Sequence, residues 1–456
     1  MRNVLILGAG ISGLGAAHVL LKHGVSVLIS DLKDTIQDKK EKEALSERGA
    51  VFVFGTQTES LLDGIDTVVV SPVIPAENPI VAAAVKKGIP VISEIELAYR
   101  VTKATILAIT GTNGKTTTTT LLGSMISHSG KPFALAGNLG ISLSREAELV
   151  PSDGLIAAEV SSFQLEFIKS FKPKAAVILN ITPDHLERHH TMEAYIAAKA
   201  RIFENMDQSD CLLLNAESPL VYGLKDEAEK HTHVCLLSTK HEVEEGAFMD
   251  GNTLVIRRNG KDIRLCSSDN LKVKGAHILG AQNMEDCLAA AFLANEGGVS
   301  PEVIISSLKS FEPLPNRIEF VRTINEVSYY NDSKATNTDA AIKGMEAFSK
   351  PVILIAGGYD KGTDLTEFMD VVKTHVKELI LLGAAADRFE KAAAEAGVSK
   401  ASIHRADSMA DAVKQGQKFA KPGDIVILSP ACSSFDMYHN MEERGMDFKR
   451  IVNSLA

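Results

Sequence analysis

The chain has 456 residues, 45% hydrophobic and 23% charged, too long for one ordinary core and too apolar for disorder, so two or three globular domains are expected. Its formal net charge of −10 argues against nucleic acid, whose phosphates an acidic surface repels. Cys211, Cys235, Cys266, Cys287 and Cys432 form no CxxC pair and read as reduced thiols of a cytoplasmic protein. The short apolar run at residues 4–7 cannot be a signal-peptide core, and no run approaches a membrane span.

The first segment reads VLILGAGISGLG: a strand, then Gly8, Gly10 and Gly13, then helical spacing through Ala16, Val19 and Leu20. A second strand over 25–29 ends on Ser30-Asp31. A GxGxxG turn with an acidic residue at the tip of the next strand suits a nucleotide ribose. Further apolar runs at 67–70 and 89–92 lead into SPVIP and Ser93-Glu94. Such runs alternating with helical stretches predict a Rossmann-like parallel sheet over residues 1–95.

The next segment holds the strongest signal, ILAITGTNGKTTTTT. A buried strand over 106–109 meets Gly111 and Gly114, and Lys115 opens a helix. Strand, glycine turn and helix make a phosphate cradle, because N–H groups at the helix start face the anion. Lys115 would neutralise terminal phosphate oxygens, and the Thr116 hydroxyl could reach Mg²⁺. Only Thr112 and Asn113 separate the glycines, so the loop is a shortened version of the phosphate-loop pattern. Later runs at 155–158, 175–179 and 211–214 end on Glu159, Asn180 and Asn215, where ligands of open α/β sheets collect. Glu159 could hold Mg²⁺ or be a solvated strand-end carboxylate. His185 and His189 have the spacing of two zinc ligands on one helix face, but no HExxH glutamate or third ligand accompanies them. Lys199 sits in helical apolar spacing and, on that spacing alone, reads as a surface lysine. GNTLVIRRNGKDIRL predicts a hairpin at Asn259-Gly260, a small β accessory of this central phosphate-loop domain over 96–298. A helix over 284–295 precedes Gly297-Gly298 and Pro301, read as a hinge.

The remainder, 299–456, again predicts α/β, with strands at 352–356, 379–382 and 425–428 ending in GGYDKGTD, GAAAD and SPACSSFD. Arg317, Lys334 and Lys361 are basic residues at strand ends or linkers. Each alone could be a loop charge; together they suit an anionic substrate.

ITGTNGKTTT, EVSSFQLE, NITPDHLERH, PNRIEF, NDSKATN, GGYDKG and LSPACSSFDMYHNMEERG, in this order, resemble the Mur ligases of peptidoglycan synthesis along the whole chain. The phosphate loop is shared with related amide ligases, whereas SSFQLE and the C-terminal run are the more specific to the member that adds D-glutamate. The resemblance implies three α/β domains, for UDP-sugar, ATP and amino acid, with closure of the third completing the site. It implies a monomeric cytoplasmic enzyme with no nucleic-acid or membrane partner, adding D-glutamate to UDP-N-acetylmuramoyl-L-alanine through an acyl phosphate. Ser12, Asp31, Ser71 and Asn138 would then hold the UDP-sugar. Gly111, Thr112, Asn113, Gly114, Lys115, Thr116 and Thr117 would bind ATP, with Asn283, Arg317, Asp332 and Lys334. Thr116 and Glu159 would hold one Mg²⁺, and His185 with a carbamylated Lys199 a second. Thr336, Lys361 and Ser434 would receive the carboxylates of D-glutamate. The chain departs from the family at Val73, where a glycine usually follows Ser-Pro, and at Gln282-Asn283-x-x-Asp286, usually His-Asn-x-x-Asn. Alternatives are a sibling ligase with another amino acid, a nucleotide-switched ATPase, and an NAD-dependent dehydrogenase resting on GAGISG and Asp31.

Overall fold

The apolar runs of the first hundred residues form five parallel strands in the order Val51–Phe54, Ser26–Asp31, Asn3–Leu7, Thr67–Val70, Val91–Ser93. A parallel sheet with helices on both faces has no water-facing side, which is why Val4, Leu5, Ile6 and Leu7 are all buried without alternation. Structure here is that of a computed structural model, which describes residues 1–34, 36, 38–271, 281–310, 315–348, 350–360 and 362–455. The order reverses at Asn3–Leu7, so the glycine turn that follows this strand lies at the sheet's switch point. Gly13 is obligatory there: a Cβ would lie 1.9 Å from the Gly8 carbonyl oxygen.

The second sheet has nine strands. Phe133–Gly137, Leu155–Glu159, Thr105–Thr110, Ala175–Ile178, Cys211–Asn215, His233–Ser238 and Gly246–Asp250 lie side by side in parallel. Thr253–Arg258 and Lys261–Ser267 extend the sheet antiparallel, turning at Asn259 and Gly260, both with positive φ (51° and 68°). The hairpin read from the sequence is thus the edge of the main sheet. Joining the two sheets is the helix Glu94–Val101, whose two buried carboxylates act differently. Burial disfavours the charge on Glu96, but Ser170 Oγ, the N–H groups of Lys169, Ser170 and Phe171, and Arg100 outweigh it and lower its pKa. For Glu94 burial prevails and raises the pKa, although Ser142 Oγ and the Ser144 N–H both donate to Oε1.

The third sheet runs Glu319–Ile324, Val327–Asn331, Ile425–Leu428, Val352–Gly357, Val376–Leu382, Ile403–Arg405, with only the first pair antiparallel. That pair turns at Asn325 and Glu326, both with positive φ (49° and 62°). No glycine marks the turn, so this hairpin has no Asn-Gly or Asp-Gly signal in the sequence.

By contacts between Cα atoms the chain forms two compact units, one of 1–181, 185–270 and 285–310, the other of 182–184, 271–284 and 311–456. Gly298, at φ 72°, ends the helix Ala281–Glu296, and Pro301 starts the helix Pro301–Ser310. The first unit therefore continues past this glycine pair to Ser310. Among the described residues no helix is long and apolar enough to cross a membrane, and all five cysteines are free and buried.

Candidate active site

The strand Thr105–Thr110 delivers the chain into Gly111 (φ 156°) and Gly114 (φ 85°), and the helix Lys115–His128 starts at once with no side-chain cap. Its first N–H groups lack the oxygen that a Ser or Asp cap would provide, which leaves them for an anion. Lys115 folds back so that Nζ donates to the carbonyls of Gly111 and Thr112, both at 2.8 Å. The loop is braced by Asn180 on the neighbouring strand's end. Asn180 Oδ1 accepts the Asn113 N–H (2.8 Å), its Nδ2 donates to Asn113 O (3.1 Å), and its carbonyl accepts the Thr112 N–H (2.9 Å). Thr112 Oγ1 meets the hydroxyl of Tyr195 at 3.1 Å. Asp286 accepts from Thr118 Oγ1 (3.0 Å) and lies so close to Gly114 that a Cβ there would sit 2.3 Å from Asp286 Oδ1. The residue that departs from the family's asparagine thus holds the phosphate-loop helix. Thr116 is half-buried, and Thr117 Oγ1 is buried without a hydrogen-bond partner.

Glu159 ends the adjacent strand and is only 2% exposed. Its Oε1 accepts from Asn138 Nδ2 (2.8 Å), while Oε2 is buried with no partner. An orphaned buried carboxylate oxygen beside a phosphate cradle suits a hard cation. Lys199 is not on the surface: it is 2% exposed, its Nζ donates to Gly111 O at 2.8 Å and lies 4.8 Å from the centre of the Tyr195 ring. Two ammonium groups, those of Lys115 and Lys199, therefore converge on one carbonyl oxygen.

His185 begins a short helix, Leu186–His189, in a left-handed conformation (φ 56°), its ring edge-on to Phe163 with centroids 4.8 Å apart. His189 does not join it as a zinc ligand. Its Nε2 pairs with Ser162 Oγ at 3.0 Å, and burial, helped by the charges of His185, Arg188 and Lys199, lowers its pKa to about 4, so it is neutral. The described residues contain one His/Cys/Glu group tight enough for a metal, His233, Cys235 and Glu245, at the opposite ends of the strands. Arg258 already supplies the cation there, donating to Glu245 Oε2 with its Nη1 3.1 Å from Cys235 Sγ.

The N-terminal turn is built from the same unit. Ser12 lies in the first turn of the helix Ile11–Lys22, whose start again has no side-chain cap. Asp31 Oδ2 accepts the Ala9 N–H at 2.8 Å and so holds the glycine turn. Ser71 is buried, its Oγ 3.4 Å from Gly8 O, and Val73, two residues on, is 75% exposed. Asn138 is exposed at the end of the strand Phe133–Gly137, tied through backbone and side chain to Glu159.

In the second unit Arg317, Asp332, Lys334, Thr336 and Ser434 gather near the ends of Val327–Asn331 and Ile425–Leu428. Asp332 is buried, accepting from Ser429 Oγ (2.8 Å) and the Ile318 N–H (3.3 Å). Desolvation raises its pKa to about 7 against the pull of Ser429, Arg317 and Arg444. Arg317 Nε is buried without a hydrogen-bond partner. Arg444 organises these loops: Nε donates to Ser333 Oγ (2.9 Å), Nη2 to Ser333 O (2.8 Å) and Nη1 to Ser433 O (3.2 Å). Asn283 lies in the first turn of Ala281–Glu296, and Lys361 lies outside the described residues. Asn180, Tyr195 and Arg444 carry the site without having been assigned to it from sequence. Asn180 is marked by its place at a strand end and Arg444 by its place in the C-terminal run of the family resemblance; Tyr195 has no signal of its own.

Residues 2–93 match the Mur ligase MurD-like N-terminal domain, 109–294 the Mur ligase middle domain and 316–432 the Mur ligase glutamate ligase domain. The chain is 43% identical over 454 residues to the UDP-N-acetylmuramoylalanine--D-glutamate ligase of Pelotomaculum thermopropionicum, covering 100% of this chain and 98% of that protein. To the ligase of the same name from Thermoanaerobacter sp. (strain X514) it is 42% identical with the same coverage. In fold it is similar to the pseudomurein peptide ligase type C of Methanothermus fervidus, with a TM-score of 0.61, 18% identity and 100% of both chains covered.

Proposed function

The chain belongs to the Mur ligase family, and from that premise we propose that it joins D-glutamate to UDP-N-acetylmuramoyl-L-alanine, using ATP, in peptidoglycan precursor synthesis. The observation that carries the reading is the convergence of Lys115 and the buried Lys199 on Gly111 O, with the half-orphaned carboxylate of Glu159 at an adjacent strand end. A phosphate loop alone needs neither of the last two.

A carboxylate is a poor acyl donor. Its oxygen attacks the γ-phosphorus of ATP, ADP leaves, and an acyl phosphate results. The amine of D-glutamate then attacks the acyl carbon and loses a proton, and the tetrahedral intermediate expels phosphate to leave the amide. Phosphoryl transfer needs in-line positioning and charge neutralisation more than covalent help. Gly111 to Thr117 supply N–H donors for the phosphates, and Lys115 swings from its carbonyls to the terminal oxygens. Thr116 and Glu159 would hold one Mg²⁺, and His185 with a carbamylated Lys199 a second, neutralising phosphoryl charge. Addition of the Lys199 amine to CO₂, with loss of a proton, turns the repulsion between two ammonium groups into attraction. Asn283, Arg317, Asp332 and Lys334 contact ATP. Ser12, Asp31, Ser71 and Asn138 hold the UDP-sugar, and Thr336, Lys361 and Ser434 take the D-glutamate carboxylates. The parts 1–95, 96–298 and 299–456 serve UDP-sugar, ATP and amino acid in turn, in a cytoplasmic monomer.

Phosphate release with UDP-N-acetylmuramoyl-L-alanine and a panel of single amino acids tests the proposal. Release with D-glutamate alone is expected. Release with another amino acid points to a sibling ligase, and release that ignores acceptor and amino acid to a plain ATPase.

A further inference from the structure

Arg188 is a member of the DHLERHH run that neither the phosphate loop nor the metal ligands use. Its guanidinium is 12% exposed and makes four hydrogen bonds in two directions. Toward the central sheet, Nε and Nη2 grip Glu166 in a bidentate pair (3.1 and 2.6 Å), and the group stacks 4.9 Å above the Phe163 ring. Toward the N-terminal sheet, Nη2 donates to Ile74 O (3.0 Å) and Nη1 to Val73 O (3.3 Å). Those carbonyls belong to the loop that starts at Ser71, closed by an Ile74 N–H to Ser71 O bond of 3.0 Å. The same loop flanks the glycine turn, through Ser71 Oγ on Gly8 O. Arg188's own backbone N–H bonds His185 O at 3.0 Å, and Phe163, on which it stacks, also meets the His185 ring.

We propose that Arg188 is a positioning residue that ties the UDP-sugar loop at Ser71–Ile74 to the turn carrying His185. The acceptor's nucleotide end is thereby held at a set distance from the place where its carboxylate is phosphorylated. A planar fork with five donors can serve a carboxylate and two carbonyls at once, which a lysine cannot. Val73, where the family has glycine, fits this arrangement because Arg188 engages the backbone oxygen while the side chain is 75% exposed. The inference rests on the ligase reading for the identity of the acceptor.

The test is Arg188→Ala and Arg188→Lys in the full chain. Arg188→Ala is expected to raise KM for the UDP-sugar about 10–100-fold, the equivalent of one lost hydrogen bond from a charged group, with a smaller change in kcat. ADP affinity measured without UDP-sugar should stay at the wild-type value, because Asn180 braces the phosphate loop independently. Arg188→Lys should recover part of the loss. A merely structural role would lower thermal stability and active fraction and leave KM alone, and that result overturns the inference. If Arg188→Ala does not fold, Arg188→Lys decides: a weakened UDP-sugar Kd by calorimetry supports the inference and an unchanged Kd overturns it. Failure of the ligase reading is separate, since it would appear in the wild-type protein as no phosphate release with acceptor and D-glutamate; calorimetric acceptor binding without ATP still judges Arg188.

Discussion

Asp332→Asn tests the electrostatics of the C-terminal unit. The carboxyl is buried, with Ser429 Oγ and the Ile318 N–H as donors and a folded-state pKa of about 7. The ordinary value is 3.8, so between pH 3.8 and about 7 the folded state holds a proton that the unfolded chain has released. Stability therefore falls as pH rises through that window, and above it the whole penalty of the buried charge is present. At roughly 1.4 kcal/mol per unit, the shift corresponds to about 4 kcal/mol as an upper figure. Asparagine has the same shape, keeps an oxygen for Ile318 N–H and turns its amide to Ser429 Oγ. Asp332→Asn should thus stabilise this unit by about 2–4 kcal/mol at pH 8 and by far less near pH 4, where the folded wild type is protonated and its unfolded chain only about half ionised. Hydrogen exchange of the strands Val327–Asn331 and Ile425–Leu428, compared between wild type and variant at each pH, reads the difference. An equal gain at both pH values, or a loss at pH 8, refutes the reasoning. Because the same carboxylate is assigned to ATP, activity should drop while stability rises.

Replacing Lys115 by alanine should abolish phosphate release while calorimetry still detects UDP-sugar binding; residual turnover would remove this loop from the chemistry. Asn180→Ala strips two bonds from the phosphate loop and leaves the Asn113 amide groups short of partners. At about 1–3 kcal/mol per unsatisfied group, KM for ATP should rise by roughly tenfold or more, measured by ATP titration at saturating acceptor. Lys199→Ala should be inactive and partly rescued by small carboxylic acids. A folded, unrescued variant would mean that Lys199 acts as an unmodified amine.

Much of this molecule is local. Apolar runs become buried parallel strands because helices cover both faces of a sheet, and glycines at 111 and 114 permit the turn that a phosphate needs, so fold class and phosphate loop follow from short windows of sequence. The edges are less local: Val51–Phe54 is only partly buried, and Glu319–Ile324 turns without glycine, so neither announces itself. Side-chain partnerships are decided only by folding. Helical spacing cannot tell which neighbour covers a face, and so Lys199 read as a surface residue until the helix Met192–Ala200 placed it on Gly111, 88 positions away. Asn180 reaches Asn113 across 67 positions, Arg444 reaches Ser333 across 111, and Arg188 reaches Ile74 across 114. Backbone geometry obeys steric limits written into each residue, whereas a buried polar group takes whichever partner the closed chain brings within hydrogen-bond range.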